Sequence, residues 1–549
     1  MLIINKTINY FNIKLRDIVK NYDVVIIGGG LAGLTLASQL LRDIPDISIC
    51  LIHDAKFPNE ETAFKVGEAT IDLGGYYLRE LLGDEYLGRE HFIKMGMRFI
   101  YTNDELYKEM GIRNFPQKNS YQFKRGKLEN HFFSLLQDKI DILQNTRFLD
   151  VEDEGHFKRI HVVELSKVQK IINSRWIVDA SGRKKVISRK YNLSSKGNLP
   201  NSSVWFRVKG AVLVDEIYPA EEDNPFYGMD RSYSSLHIDG KGYWIWVLRL
   251  SDHTTSVGIC FSENIHQFDS LSDLEKTFEW LKTHERVFYD YLLKKQFSIL
   301  DFKYLRKYAS IAQPCISENH WALTGDACIF LDPVYSSGID LMCIENTFIV
   351  DVLAQEKNGQ DIKELMAFYN SVISDLVIAY SNVFDKMYEQ KDNWYYIFVK
   401  YVVDSVFYFG SICPCFMNKG MRDFKNAKII WDKIHKIYME YDKVNSILKT
   451  KKFSENNRQN NLDLPRFINL SESLFAKINS YLTEPDNDLE KLINLLQDNY
   501  QVMCKICEYI SSDRNLYDLY IRRDGQPEIF HTSWRYDEFF PNPEMVNRN

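Results

Sequence analysis

Two glycine-marked stretches and one lysine carry the chemistry that can be read from this chain. Gly28-Gly29-Gly30-Leu31-Ala32-Gly33 follows the apolar run Asp23–Ile27 and opens the helical pattern LTLASQLLR. In a GxGxxG turn the first glycine makes the bend and the second lets backbone approach a pyrophosphate. The third lets helix and strand pack closely. Between a strand and a helix this pattern points to a dinucleotide held by Gly28, Gly30, Leu31, Ala32 and Gly33. Farther on, Trp321–Thr324 reads as a short buried strand broken by Gly325 and Asp326, whose carboxylate can accept hydrogen bonds from a polyol. Leu331–Gly338 then opens an apolar helix running from Ile339 to about Leu353, and a helix start offers unpaired N–H groups to an anion. Lys94 is flanked by Phe92, Ile93, Met95 and Met97. Burial among them would make its ammonium more readily neutral. Taken alone, Lys94 also reads as a lysine on a solvated strand face, and 321–341 as a plain strand–turn–helix.

Further candidates flank these stretches. Ile47–Ile52 reads as the second strand of a nucleotide-binding unit. An acidic residue at its end would hold the adenosine ribose; here His53 and Asp54 share that place, which leaves NAD and FAD both open. In Lys65-Val-Gly67-Glu68-Ala69-Thr70 the glycine suggests backbone packed against a ligand. Arg125 stands at a strand-to-helix junction, in reach of a phosphate or a carboxylate. Trp176–Asp179 is a third buried strand, ending in a turn at Gly182.

These groups need an α/β scaffold to position them. With 549 residues the chain can hold two to four domains. The expected class is α/β: a dinucleotide-binding, Rossmann-like core, an inserted antiparallel sheet and a C-terminal helical region. The expected boundaries are an extension over 1–20, a core over 21–357 with its β insertion at about 195–310, and a helical domain over 358–549. In the insertion, alternation puts Trp244, Trp246, Leu248 and Leu250 on one face. His91–Phe99 reads as one strand. Helices are expected over 368–386, 394–408, 421–448, 464–481 and 488–511, with a polar linker at 453–464. The helical region is expected to cover the substrate side and set substrate choice.

Net charge is −7 and no basic face announces nucleic acid. The nine cysteines are an odd number at scattered positions, and only Cys413/Cys415 and Cys504/Cys507 are close in sequence. All nine read as reduced, buried thiols of a cytoplasmic protein, with no metal site expected. The N-terminal segment lacks the features of a signal peptide. Phe398–Met417 is the most hydrophobic run, but Lys400, Asp404 and Pro414 interrupt it, so a buried helix is expected rather than a transmembrane one.

Taken together, the motifs resemble those of flavin-dependent halogenases over roughly residues 21–355. GxGxxG at 28–33, Gly67-Glu68-Ala69, Arg125, Asp179-Ala-Ser-Gly-Arg183 and Gly325-Asp326 look like the FAD-binding set of the wider aromatic hydroxylase fold. Lys65–Thr70 is similar to the family's GEAT segment, and Lys94 falls where the family carries its active-site lysine. Trp244-x-Trp246-x-Leu248 is similar to its WxWxIP signature, with Arg249 in place of the proline. Phe330–Gly338 is similar to the loop that ends at its halide site, here Ser337 and Gly338. Tyr335 stands where tryptophan halogenases have a glutamate, and the Asp-Pro-Val-Tyr-Ser-Ser-Gly pattern looks like phenol- and pyrrole-type members.

The resemblance implies an enzyme that uses FAD, reduced by a separate flavin reductase, with O2 and chloride or bromide. The electron-rich aromatic substrate is small, phenolic or pyrrolic, and free or carried on an acyl carrier protein. Trp244, Trp246 and Tyr335 would border it. Lys94 would hold hypohalous acid by hydrogen bonding or as a chloramine. The alternatives are an FAD-dependent hydroxylase or related reductase, which would use NAD(P)H directly and need no Lys94, and a flavoprotein without chemistry.

Overall fold

Five segments, most of them rich in Val and Ile, line up in parallel within an eight-stranded mixed sheet. They run in the order Trp321–Leu323, Gln169–Asp179, Asn21–Ile27, Ile49–Ile52, Asp141–Leu143. The central strand buries Val24, Val25, Ile26 and Ile27, as a strand covered on both faces must. Four of the five are continuous apolar runs visible in sequence. The fifth, Asp141–Leu143, is short and only partly buried. This computed structural model describes residues 20–512 apart from 61–64, 103–106, 113–119, 197–198, 223, 252, 385, 451–465 and 471–487, together with residue 516. All but the last residue of the expected extension over 1–20, the linker at 453–464 and the last twenty-five residues lie outside the described residues.

A second sheet runs Ser298–Leu305, Asn201–Lys209, Thr254–Ser262, Tyr243–Ser251, Ser235–Gly240, Met97–Thr102, Tyr107–Gly111, Phe467–Asn469. It is wider than the insertion expected at 195–310. It recruits two strands from before that segment and one from far beyond it, through the parallel pairings of 235–239 with 97–101 and of 467–469 with 109–111. Two expectations change with it. Within the expected helix over 464–481 the described residues 466–470 form a short strand, Phe467–Asn469, and the rest of that span lies outside the described residues. The strand expected over His91–Phe99 is broken at Gly96, where φ is +78°. Phe92–Lys94 pairs with Ser120–Gln122, and Met97–Thr102 joins the large sheet. The break leaves Phe92–Lys94 in a two-stranded sheet of its own while the chain beyond Gly96 joins the large one.

The two faces of this sheet bury different cores, as the period of two requires. Phe206, Ile245, Val247, Val257 and Ile259 pack with Trp280, Leu281, Phe288 and Leu292 of the helices Leu274–His284 and Arg286–Lys295. Trp205, Trp244, Trp246 and Cys260 join the main core with the parallel sheet and the later helices. Trp246 lies flat on Gly258, where an added Cβ would meet its ring at 2.1 Å.

Four long helices follow among the described residues: Gly338–Lys357, Lys363–Phe384, Phe424–Thr450 and Leu489–Ser511. Between them Trp394–Phe407 continues through a wide π-type turn, Tyr408–Ile412, into Cys413–Met417. Trp394–Met417 is long and apolar enough to cross a membrane, yet its apolar window is entirely buried inside the protein. The cysteine expectation needs correction. Cys315 and Cys328, 6.3 Å apart at Cα, form a disulfide, and Cys504 and Cys507 are only partly buried. The pair is thirteen residues apart in sequence and is brought together by the antiparallel pairing of Ser310–Ala312 with Ile329–Phe330.

Glu285, between the two helices that cover the large sheet, is buried. It accepts hydrogen bonds from Tyr243 Oη at 2.8 Å and Thr102 Oγ1 at 3.0 Å. Burial pushes its carboxyl up to about 7, against the pull of those two donors. The native state therefore binds a proton that the unfolded chain releases. The resulting stability is present below about pH 4.5 and lost as pH rises through about 7. We expect Tm to fall between pH 5 and pH 8. Glu285→Gln, which keeps an acceptor without the charge, should recover up to about 3 kcal/mol, or roughly 2–4 °C, at pH 8. Calorimetric scans of both proteins at the two pH values check this; parallel pH dependence would clear Glu285.

Candidate active site

The glycine turn has the shape its spacing demands. Gly28 has φ +114°, and a Cβ there would stand 2.3 Å from the Ala180 carbonyl oxygen. A Cβ on Gly33 would stand 2.0 Å from the Gly28 carbonyl oxygen. Gly30 differs: it caps the helix Leu31–Asp43 with no side-chain hydrogen bond, and nothing lies within 4 Å of where its Cβ would be. Open space in front of uncapped N–H groups at Leu31, Ala32 and Gly33 is what a pyrophosphate needs.

His53 and Asp54 separate in the structure. The Gly29 N–H donates to His53 Nδ1 at 3.3 Å, and His53 Nε2 is buried with no partner among the described residues. Burial lowers the ring's pKa to about 4, so His53 is a neutral imidazole with one N–H to give. Asp54 is paired with Lys184 at the surface.

The segment from Lys65 to Leu73 is strapped down on several sides. Thr70 N–H donates to the Tyr121 carbonyl and Phe123 N–H to the Glu68 carbonyl, both at 2.9 Å. The Glu68 carboxylate takes a 2.8 Å hydrogen bond from Arg207 Nε, and Arg207 also pairs with Asp301 and donates to the Lys65 carbonyl. Glu68, expected as a cofactor contact, is thus occupied as the anchor of its segment; Gly67 and Ala69 supply backbone beside it. Arg125, at the start of the helix that follows, donates to the carbonyls of Val66 and Gly67 and to Glu129. Its Nε is buried without a partner among the described residues. Asp326, in the turn after Trp321–Leu323, has its carboxyl raised by burial, with Arg125, Arg183 and Lys185 opposing that in this order. Gly30, Arg125 and Asp326 therefore present open backbone, an unused donor and a carboxylate close to a cation. That set fits a flavin dinucleotide.

Lys94 is almost wholly buried, and its Nζ donates to the Thr70 carbonyl at 2.9 Å. Burial lowers its pKa to about 8, against the fields of Asp72 and Asp340. These two acids are themselves raised by burial, to about 6 and about 7. Asp72 Oδ1 has no partner among the described residues, while Asp340 accepts from Gly74 N–H at 2.8 Å and from Tyr408 Oη. His237, buried and stacked on Trp244 at 4.8 Å, is held neutral by burial and by Lys391 and Lys94. Asp72, His237 and Asp340 have no sequence signature. Each is a polar residue in an ordinary strand or helix, drawn to Lys94 by tertiary packing alone.

Beside this cluster lies a narrow cavity. Ile71, Met97 and Tyr335 form one wall. The helical region forms the rest through Tyr380, Val383, Tyr401, Asp404, Phe407, Tyr408 and Tyr441. Tyr408 joins the two, since its hydroxyl donates to Asp340 and accepts from Leu73 N–H at 3.0 Å. Trp244 and Trp246 do not line this cavity. Trp244 Nε1 donates to Tyr388 Oη at 2.8 Å and Trp246 Nε1 to Ser256 Oγ at 3.2 Å, which fixes them as core. Arg249 binds Asp230 and Ser232 and lies over the rings of Tyr233 and Phe92.

The loop before Gly338–Lys357 is pinned by Asp332, which accepts from Asn201, Tyr308 and Tyr388 at 3.0, 2.8 and 2.7 Å. Ser336 sits at φ +56°, and Ser337 and Gly338 stand at the helix start, where N–H groups lack intrahelical partners.

A family model described as lycopene cyclase protein matches residues 23–196, the first part of this scaffold. Among curated proteins the chain is 27% identical over 372 residues to flavin-dependent halogenase chlA of Dictyostelium discoideum, covering 61% of this chain and 60% of that protein. It is 24% identical over 387 residues to a 1H-pyrrole-2-carbonyl-[peptidyl-carrier protein] chlorinase of Pseudomonas fluorescens, covering 64% of this chain and 80% of that one. The match thus spans about three fifths of the Dictyostelium relative. Among solved structures, halogenase PltM in complex with phloroglucinol and FAD superposes with a TM-score of 0.65 at 14% identity, covering 88% of this chain and 99% of that one. Flavin-dependent brominase Bmp2 gives a TM-score of 0.56 at 19% identity, covering 70% and 90%. The chain is thus similar in sequence to flavin-dependent halogenases over about three fifths of its length, and it shares its fold with solved halogenase structures.

Proposed function

We propose that this protein is an FADH2-dependent halogenase that chlorinates or brominates an electron-rich phenolic or pyrrolic ring. The observation that carries this reading is Lys94: a buried lysine with its pKa drawn down to about 8, beside a cavity of aromatic side chains. The residues that would hold FAD are Gly28, Gly30, Leu31, Ala32 and Gly33 at the pyrophosphate, with His53, Gly67, Ala69, Arg125, Gly325 and Asp326 around it. When bound and reduced, FAD supplies the oxygen chemistry that turns halide into hypohalous acid.

The rest follows from the chain's own groups. The N–H groups of Ser337 and Gly338 suit the halide, because a helix start favours an anion. Lys94 receives hypohalous acid. As an ammonium it donates a hydrogen bond; as a neutral amine it can carry the halogen itself. Asp72 and Asp340 are within its field and can take its proton. The cavity excludes water and presents the ring, and the helices that form most of its wall would set substrate choice. Relatives that act on carrier-bound pyrrole support a tethered substrate, and the phloroglucinol complex supports a free phenol. A separate flavin reductase and a cytoplasmic setting complete the reading.

Product analysis by mass spectrometry on a phenol and pyrrole panel, with FAD, a reductase and chloride or bromide, tests it. Turnover of NAD(P)H without added reductase, giving halide-independent product, would instead identify a hydroxylase. Gly30→Asp should weaken FAD binding by about tenfold or more in a spectral titration, since its carboxylate would meet the pyrophosphate. Unchanged affinity would misplace the cofactor. Lys94→Ala and Lys94→Arg should oxidise reduced FAD normally yet lose roughly a hundredfold or more of halogenated product. In the wild type, product formation should rise with pH through about 8 as the neutral amine becomes populated. Near-normal halogenation by Lys94→Ala would remove the lysine from the mechanism and turn attention to Lys65.

A further inference from the structure

The cavity wall carries a second polar cluster besides the one around Lys94. Asp404, on Trp394–Phe407, accepts from Lys400 Nζ at 2.8 Å and Tyr441 Oη at 2.9 Å on one oxygen. Its other oxygen accepts from Tyr335 Oη at 3.0 Å. Lys400 also donates to Asn445 Oδ1 at 2.7 Å, and both Lys400 and Asp404 are buried. Tyr335, Asp404 and Tyr441 all line the cavity.

A tyrosine hydroxyl has one proton to give and two lone pairs. Asp404 claims the protons of both Tyr335 and Tyr441. Burial, followed by the charge of Asp404, pushes both phenols well above their ordinary range, so both remain hydroxyls. What they can offer a ligand is lone pairs. The Lys400 ammonium neutralises the carboxylate that fixes this polarity, so the cavity wall accepts hydrogen bonds without presenting a bare anion.

We propose that Asp404 is a positioning residue that turns Tyr335 into a hydrogen-bond acceptor for a ring hydroxyl of the substrate. The substrate class is then a phenol bound through its O–H. Accepting that hydrogen bond places the ring in the cavity and raises electron density at the carbons ortho and para to the hydroxyl, where an electrophilic halogen attacks. In that attack a ring carbon bonds to the halogen of hypohalous acid, the halogen–oxygen bond breaks, and the ring proton leaves with hydroxide as water. The phenolic proton stays shared with Tyr335. This inference rests on the proposed halogenation for its chemistry but not for its binding geometry.

The test compares a phenol with its methyl ether, which has the same ring and no proton to donate. Equilibrium binding to the FAD-loaded protein, without reductant, should favour the phenol by about tenfold, the worth of one good hydrogen bond. Tyr335→Phe leaves the Lys400–Asp404 pair intact and should abolish the preference. Asp404→Asn should reduce it, and Asp404→Glu should restore part of it. In turnover, Tyr335→Phe should raise KM for the phenol while the yield of hypohalous acid, captured by added methionine, stays at the wild-type level. A folded Tyr335→Phe that keeps the wild-type phenol preference overturns the proposal. Loss of the preference in that variant, when no wild-type product carries halogen, would overturn the halogenase reading and leave this site standing.

Discussion

A single buried guanidinium ties the site together. Arg207 reaches from the large sheet to the Glu68 carboxylate and the Lys65 carbonyl while it holds Asp301 on the neighbouring strand. Burying these charges costs desolvation, which pairing offsets only when the hydrogen bonds are complete. Removing one partner would leave an uncompensated charge in the core, so the arrangement tolerates little movement. The segment it fixes supplies the carbonyls held by Arg125, the Thr70 carbonyl that accepts from Lys94, and the Leu73 N–H that donates to Tyr408. Cofactor cradle, lysine and substrate cavity are therefore set relative to one another by one strap and its anchor.

That dependence explains why Glu68 stands out in sequence for one reason and acts for another. Its position in the GEAT segment suggested contact with a cofactor, but its carboxylate is spent on Arg207. The contacts left for a cofactor are backbone at Gly67 and Ala69 and the side chain of Arg125. The segment's worth lies in where it holds other groups.

The parallel sheet and the glycine turn were legible because their signals are local. Gly28 answers to its own backbone angle of φ +114° and Gly33 to the Gly28 carbonyl five residues before it, and the apolar run that precedes them marks a strand buried on both faces. The apolar neighbours of Lys94 left a buried and a solvated reading both open, and nothing local announced the break at Gly96 that takes it out of the large sheet. The large sheet was misjudged because three of its strands lie outside the segment that looks β. Phe467–Asn469 reaches Tyr107–Gly111 across more than three hundred residues, and no local pattern encodes such a partner. Cys315 and Cys328 were missed for a related reason: their meeting depends on an antiparallel pairing of two very short strands.

The helical region shows the same limit in its sharpest form. Lys400 and Asp404 first appear as interruptions of an apolar run, a reason to doubt a membrane span. At helical spacing they stand one turn apart, so the pair can close on itself inside the core. A surface pair at that spacing contributes little, but burial raises its consequence: the carboxylate must have its remaining lone pairs satisfied, and Tyr335 and Tyr441 do so. Satisfying the carboxylate commits the tyrosine protons, and that commitment decides what kind of atom the cavity wall shows to a ligand. Two buried lysines thus act beside this cavity in different ways, one made readily neutral by burial and one kept beside its counter-ion. The same residue type serves both because its surroundings differ: Lys94 has a carbonyl at hydrogen-bond distance and its carboxylates farther off, while Lys400 has a carboxylate in direct contact.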